Sequence, residues 1–212
     1  MAELDEYWER LSLAPDDLEA LEHVEEHLRS ERRYDELLKL YDDLALKVDA
    51  APAAEYMSRA AKLALEAVNS AARAESYLRA AIAADPDRTE ARAELRKLLL
   101  SRGATEDALL VYEAQLREQG KSPETSAGWV EIAELALHKL KDPGRAFNAL
   151  DSAEEADAEN AEVFKLRARI HQERGQLRMV YQCLVQELDV AEEIDDCLER
   201  FQTLLESMVR HP

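Results

Sequence analysis

A small or apolar residue followed four positions later by an apolar or aromatic residue recurs along the whole chain. The first members of these pairs lie 37, 34, 38 and 34 residues apart. A recurrence near 34 residues in a helix-forming sequence is typical of stacked helix-turn-helix units, each burying its apolar face against its neighbours. The spacing therefore predicts a helical repeat protein. The pairs are Leu37 and Tyr41, Ala74 and Leu78, Ala108 and Tyr112, Ala146 and Leu150, and Val180 and Leu184.

The composition agrees with an all-α chain. Apolar residues make up 47% of the sequence, enough for a hydrophobic core, and the chain has only five glycines and six prolines. Alanine, leucine, arginine and glutamate are abundant. Alanine, leucine and arginine are among the strongest helix formers, and glutamate follows closely. Nowhere do Val, Ile, Thr and aromatic residues alternate between turn residues, as they do in strands. We predict helices throughout.

The apolar periodicity divides the chain into five helix pairs with one helix at each end. We predict a single domain over 1–212, with an N-terminal cap helix in 1–15, five repeats in 16–190 and a C-terminal cap helix in 191–212. Terminal units of a repeat array are commonly atypical because each end would otherwise leave an apolar face bare. The longest break between predicted helices, at 120–123, is either a tight turn or a hinge.

Two local patterns add detail to this prediction. The N-terminal cap helix carries Leu4, Tyr7, Trp8 and Leu11 at helical spacing, and we expect this face to be buried. Gly103 stands just after an apolar run, where a helix C-terminus commonly needs a residue in the left-handed conformation. We therefore expect a helix to end there.

The net charge of −19 is unevenly distributed. Residues 1–51 carry 16 acidic and 6 basic side chains, residues 52–150 carry 15 and 14, and residues 151–212 carry 15 and 7. This field repels phosphate groups, so we expect no nucleic-acid partner, and it favours a basic or neutral protein partner. An acidic surface also promotes solubility alone, and both explanations stay open.

Cysteine usage and hydropathy indicate a cytoplasmic protein. Cys183 and Cys197 form neither a Cys-x-x-Cys pair nor a zinc spacing, so we predict buried, reduced thiols in a reducing compartment. The N-terminus lacks the basic and apolar stretches of a signal peptide. No run approaches 18 apolar residues, so we expect no membrane contact.

Two segments resemble tetratricopeptide repeats, and weaker matches extend the resemblance over roughly 16–190. The chain departs from the family at Glu25 and Arg96, where tetratricopeptide repeats have a small residue that lets paired helices approach. The matching residues are Pro86, Leu95, Leu99, Gly103, Ala108 and Tyr112 in the third unit, and Trp129, Ile132, Ala133 and Ala136 in the fourth.

The resemblance implies a right-handed α-solenoid that acts as a non-enzymatic protein–protein interaction scaffold, without a cofactor. Its concave groove would be lined by the first helix of each unit and would bind a peptide or helix of a partner; a homo-oligomer is also compatible. No asparagine lies on this face, so we do not expect the carboxylate clamp of chaperone-binding family members. The groove residues implied are Met57, Lys97, Val130, Glu134, Lys165 and Arg169.

The sequence offers three alternatives to the scaffold. His23, Glu26 and His27 form a His-x-x-Glu-His string that matches a zinc-hydrolase pattern, although a third ligand from another helix would be needed. We interpret these histidines as surface residues. An RNA-processing scaffold built of half-tetratricopeptide repeats is opposed by the acidic charge. The last alternative is a structural spacer of a larger solenoid, with no groove ligand.

Overall fold

The structure, a computed structural model, describes residues 2–190 and 195–210. It divides into two compact units, Met1–Ala104 and Thr105–Pro212, which we call unit 1 and unit 2. All regular secondary structure in these described ranges is helical. The all-α prediction is confirmed.

In unit 1, residues 2–104 form six helices joined by short connections. Consecutive helices along the chain pack against each other, so α2 and α3 form one hairpin and α4 and α5 form the next. The boundary of unit 1 follows α6, the first helix of the predicted third pair. The helices are α1 (Ala2–Leu13), α2 (Leu18–Ser30), α3 (Tyr34–Ala45), α4 (Ala50–Glu66), α5 (Ala71–Ala84) and α6 (Thr89–Ser101).

The described residues of unit 2 also form six helices, and a π-helical turn extends the second of them. The hairpins here are α8 with α9 and α10 with α11, and α12 packs on α11. Residues 191–194, 211 and 212 of the predicted C-terminal cap lie outside the described ranges. The helices are α7 (Thr105–Gln119), α8 (Pro123–Leu135) with the π turn (Ala136–Leu140), α9 (Pro143–Ala156), α10 (Ala161–Glu173), α11 (Leu177–Val190) and α12 (Asp195–Arg210).

The core of each unit consists of the apolar positions that recur in the sequence. Leu37 and Tyr41 are fully buried in unit 1, and Ala146 and Leu150 are fully buried in unit 2. Each pair is four residues apart, which places both side chains on the same side of their helix. Removing apolar side chains from water at these positions stabilises the hairpins more than helix propensity does.

Polar side chains begin several helices where the sequence changes from a turn to an apolar period. Asp17 accepts a hydrogen bond from the backbone N–H of Ala20 at the start of α2, and Ser70 caps α5 in the same way. These oxygens satisfy N–H groups that have no partner within the helix. Gly103, at φ 74°, ends α6 in the left-handed conformation, which confirms the predicted helix end.

The N-terminal cap helix buries a narrower face than we predicted. Leu11 is buried and Leu4 and Tyr7 are partly buried against the core, but 37% of Trp8 is exposed. Leu4, Tyr7 and Leu11 are spaced by three and four residues and face α2, whereas Trp8 lies about 100° further round the helix than Tyr7. The inclusion of Trp8 in the buried face was therefore wrong.

The connections from α7 to α11 in unit 2 are short. Residues 120–122 join α7 to α8, and Gly120 adopts the left-handed conformation there with φ 80°. The π turn ends at Lys141, whose φ is 55°. Within the described residues, no helix has both the length and the apolar character that crossing a bilayer requires.

Candidate interaction surfaces

An open cavity of about 550 Å³ lies in unit 2 between α8, α10, α11 and α12. We call it the unit 2 cavity. Four of the six predicted groove residues border it: Val130 and Glu134 on α8, and Lys165 and Arg169 on α10. In each helix the two positions are four residues apart and share one face. The structure thus brings these four residues together.

The helices α8 and α10 start at fixed positions because their N-termini are capped. Ser122 and Thr125 form a reciprocal capping box at α8, with Pro123 in the first helical turn. The side chain of Asn160 accepts a hydrogen bond from the backbone N–H of Glu162 at the start of α10. The rotation of each helix is then set by its buried face, so the residues that border the cavity are held by the fold.

The floor of the unit 2 cavity is apolar. Leu166, Ala168, Val180 and Leu184 border it and are each at most 4% exposed, and Leu177 beside them is partly buried. An apolar surface in a concave site, with a few polar groups around it, is the usual composition of a ligand pocket. The floor can therefore take up apolar side chains of a ligand.

Charged side chains form the rim of the unit 2 cavity. Arg169 Nη2 lies 3.4 Å from Glu134 Oε1, which joins α10 to α8. Lys165 Nζ lies 2.9 Å from Glu162 Oε1 within α10. Ion pairs at this exposure contribute about 1 kcal/mol or less, so a ligand can replace them at small cost. The rim can offer charges of both signs.

Sequence analysis missed the side of the cavity formed by α11 and α12. Leu177, Val180 and Leu184 lie on α11, and Arg200 and Thr203 lie on α12. The tetratricopeptide resemblance implies a groove lined only by the first helix of each pair. The spacing of three and four residues between Leu177, Val180 and Leu184 marks a shared face, but spacing alone does not distinguish a cavity wall from the hairpin core.

In unit 1 the two predicted groove residues lie outside the main cavity of the unit. Met57 is partly buried, Lys97 is exposed, and neither is among the residues that border this cavity. This cavity of about 570 Å³, the unit 1 cavity, is instead bordered on α4 by Ser58, Arg59 and Lys62. One position along a helix is a rotation of about 100°, so an error of one residue in register moves a side chain off the face.

The unit 1 cavity is highly charged, with five glutamates and four basic side chains around it. Arg59 on α4 joins two of these acids: its Nη1 donates to Glu25 Oε1 and its Nε to Glu55 Oε1, both at 3.0 Å. Arg88 Nη2 donates to the other oxygen of Glu55. The chain Glu25–Arg59–Glu55–Arg88 links α2, α4 and the start of α6. Burial raises the pKa of Glu55, but the hydrogen bonds and positive charges of Arg59 and Arg88 outweigh this effect. The pKa of Glu55 therefore lies below its ordinary value.

The His-x-x-Glu-His string, considered above as an alternative zinc site, does not form a metal site with other residues that the structure describes. The ring of His23 stacks on Tyr7 with centroids 4.3 Å apart, and His27 Nε2 lies 3.4 Å from Glu31 Oε2. Among the described side chains, no three His, Cys, Asp or Glu residues are close enough together to hold a metal ion. The geometry therefore does not favour a zinc hydrolase.

Both cysteines lie in the core between α11 and α12. Cys183 and Cys197 are free thiols that are at most 4% exposed, and they belong to one apolar cluster with Val180 and Leu184. Burial raises the pKa of the Cys183 thiol, which lowers its reactivity because the thiolate is the nucleophile. The prediction of buried, reduced thiols agrees with this environment.

The chain is similar to several solved protein structures. No protein-family model matches the chain, and no curated protein sequence is similar to it. Among solved structures, MamA 41-end from Desulfovibrio magneticus RS-1 is 13% identical, with a TM-score of 0.46 over 82% of this chain and 95% of that one. YrrB, described as a TPR protein with an unusual peptide-binding site, is 14% identical, with a TM-score of 0.48 over 92% and 97%.

A tetratricopeptide repeat protein from Parabacteroides merdae ATCC 43184 is also 14% identical, with a TM-score of 0.41 over 95% of this chain and 76% of that one. The chain is similar to tetratricopeptide-repeat proteins. This is the family that its sequence resembles. At these identities and TM-scores the likeness assigns no binding site to the chain, so the surfaces of units 1 and 2 are judged by their own contacts.

Proposed function

We propose that the chain is a non-enzymatic protein–protein interaction module whose unit 2 cavity binds a peptide segment of a partner. The observation that carries this proposal is the apolar floor around Val180 and Leu184, which is bordered by charged side chains. A peptide can insert apolar side chains onto this floor, while its polar groups meet Glu134, Lys165 and Arg169 at the rim. No turnover and no cofactor are involved.

The size of the cavity suits a few side chains rather than a whole domain. A volume of about 550 Å³ lies within the range of pockets that enclose small ligands or short peptide anchors. Binding energy in such interfaces is concentrated in a few buried anchors. We therefore expect one or two apolar side chains of the partner to dominate affinity, with Val130 at the edge of the floor as a principal contact.

Affinity measurements with selected peptides test this proposal. A random peptide library displayed on phage is panned against the full chain, and the selected peptides are labelled for fluorescence anisotropy. We expect Val130→Arg to weaken binding about tenfold or more, because it puts a charge at the edge of the apolar floor. A tenfold loss of affinity corresponds to about 1.4 kcal/mol.

The matched control is Val185→Arg, since Val185 is a partly exposed valine of the same unit that does not border the cavity. The control should change affinity less than about twofold, and circular dichroism should show that both variants are folded. Equal affinities for the two variants would exclude the unit 2 cavity as the peptide site. A structural spacer, the alternative without a groove ligand, would yield no selected peptides.

A further inference from the structure

The exposed face of α11 carries apolar side chains. Tyr181 and Val185, one turn apart, are both exposed on this helix. The ring of Tyr181 meets Phe201 of α12 edge-on, with centroids 5.2 Å apart. The exposed Leu198 lies three residues before Phe201, on the same side of α12. The apolar surface therefore continues from α11 onto α12, and surfaces of this kind mark interaction sites in soluble proteins.

Over about three turns this face of α11 carries no charge. Residues 151–212 have 15 acidic against 7 basic side chains, so two copies of this part of the chain repel each other. An uncharged face is where two copies meet with the least repulsion. All of α11 lies within the described residues, and the side chains that it exposes between Arg178 and Asp189 are Met179, Tyr181, Gln182, Val185 and Gln186.

The preceding repeat does not have this uncharged face. Ala146 of α9 corresponds to Val180 of α11, 34 residues later. On that alignment Asp151 takes the position of Val185, and Asp151 is exposed. The uncharged face is therefore a property of α11 and not of the repeat.

Four exposed residues of α11 are spaced by four, three and four positions. This is the spacing at which one helix meets another in a coiled coil. The residues at the two ends have opposite charges, and neither forms an ion pair with another described residue. We call this set the α11 stripe; it consists of Arg178, Gln182, Val185 and Asp189.

We infer that the α11 stripe is a dimer interface, where it meets the α11 stripe of a second copy of this chain in antiparallel orientation. A twofold axis between positions 183 and 184 sets Arg178 opposite Asp189 of the second copy. The same axis sets Gln182 opposite Val185 of the second copy. Every contact in such an interface occurs twice, so the dimer gains two ion pairs, and Tyr181 adds apolar area beside the stripe.

The charges at the ends of the stripe decide the orientation. A parallel pair of stripes would place Arg178 against Arg178 and Asp189 against Asp189, which is repulsive at both ends. The antiparallel pair replaces both repulsions by attractions. A second copy is thus the partner whose charges match this face without any further assumption about its sequence.

The inference does not depend on the function proposed for the unit 2 cavity. Val180 and Leu184, which border that cavity, lie about 150° round α11 from the stripe. A dimer formed through the stripe therefore leaves the α11 wall of both cavities uncovered. Because α11 has 14 residues, the contact is only about 21 Å long, and short interfaces of this kind belong to weak, reversible complexes.

Sedimentation equilibrium of the full chain tests the inference. We expect the average mass to rise with protein concentration from 24.0 kDa toward twice that value. Arg178→Glu and Asp189→Arg should each weaken the dimer about tenfold or more, because each substitution places like charges opposite one another twice. Asp189→Arg makes the chain less acidic, which by itself favours association, so a weaker dimer in this variant reports the local contact.

Mixing the two single variants is the decisive measurement. In a heterodimer of Arg178→Glu with Asp189→Arg both ends of the stripe regain opposite charges, so we expect the mixture to dimerise about as well as the unchanged chain. Circular dichroism checks that both variants are folded, and Val130→Arg should leave the dimer unchanged. A chain that stays monomeric at every concentration, single variants that dimerise normally, or a mixture that fails to dimerise would each overturn the inference.

Discussion

Asn160 Nδ2 donates a hydrogen bond of 2.8 Å to Ser126 Oγ, joining α10 to α8 across 34 residues of sequence. Ser126 is fully buried, and its Oγ donates in turn to the carbonyl oxygen of Ala153 in α9, also at 2.8 Å. The Oδ1 atom of Asn160 accepts a hydrogen bond from the backbone N–H of Glu162 and so caps α10. Two polar residues thereby hold together the three helices behind the unit 2 cavity.

We expect Ser126→Ala to lower the free energy of unfolding by about 1–3 kcal/mol, because it leaves the Asn160 amide and the Ala153 carbonyl without this partner. Denaturant unfolding followed by circular dichroism measures the change. The control is Ser152→Ala, since Ser152 Oγ bonds only to the carbonyl of Asn148 in its own helix. An equal effect of both substitutions would show that the buried connection contributes nothing particular.

Gly128 is required by close packing rather than by backbone conformation. A Cβ at this position would lie 2.7 Å from Leu116 Cδ2 and 2.9 Å from Tyr112 Oη, so α8 approaches α7 closely here. Alanine is favoured over glycine in a helix by about 1 kcal/mol, whereas overpacking a core costs about 1–3 kcal/mol. We expect Gly128→Ala to be destabilising on balance.

A double-mutant cycle measured by denaturant unfolding tests this prediction. In a Leu116→Ala background the Leu116 contact is gone and only the contact with the end of the Tyr112 side chain remains, so the same Gly128→Ala substitution should cost less than it does in the otherwise unchanged chain. Stabilisation by Gly128→Ala in the otherwise unchanged chain would contradict the close contact.

The burial of Asp42 beside Tyr77 makes the stability of unit 1 depend on pH. Tyr77 Oη donates to Asp42 Oδ2 at 3.2 Å. Burial raises the pKa of Asp42, and Asp43 adds to the shift while Tyr77 opposes it. Burial and the charge of Asp42 also raise the pKa of Tyr77 to about 12. The folded state therefore holds the Asp42 proton more tightly than the unfolded state does.

A raised carboxyl pKa stabilises the fold at low pH, and this stabilisation is lost as the pH rises through the folded-state pKa. We expect Asp42→Asn to raise the denaturation midpoint at pH 7, and this gain should shrink as the pH falls through the pKa of Asp42. Asp16→Asn, in the exposed connection after α1, serves as the control. A gain that does not vary with pH would contradict the assignment.

The ion pair of Glu187 and Arg200 holds α12 against α11. Arg200 Nη2 donates to Glu187 Oε1, and the Glu187 side chain is only 3% exposed. Arg200→Ala would leave a buried carboxylate without this partner, which costs about 3–5 kcal/mol. We expect a large loss of stability in unit 2, measured by denaturant unfolding.

Replacing both partners separates the charge effect from packing. Glu187→Gln together with Arg200→Met should recover much of the loss, because no buried charge then remains unpaired. If the double variant is as unstable as Arg200→Ala alone, the pair acts through packing and not through its charges.

Local sequence determined the helices and their ends. The apolar spacing of Leu37 with Tyr41 and of Ala146 with Leu150 identified buried faces, because helical periodicity depends only on residues three and four apart. Gly103 marked a helix end because few other residues adopt a positive φ without strain. These features require no knowledge of what each helix packs against. The exposure of Trp8 lay beyond this information, since it depends on the direction from which α2 contacts α1.

Only the tertiary structure decided which side chains meet. Glu134 and Arg169 of unit 2 are 35 residues apart, and Glu25 and Arg59 of unit 1 are 34 apart, so these polar contacts between successive helix pairs follow the repeat length. The sequence therefore carries the repeat period in these charged residues as well as in its apolar residues. The part of the unit 2 cavity that α12 contributes could not have been found, because its position depends on packing against α11. A one-residue rotation, about 100°, separates a cavity residue such as Ser58 from Met57, and only packing sets that rotation.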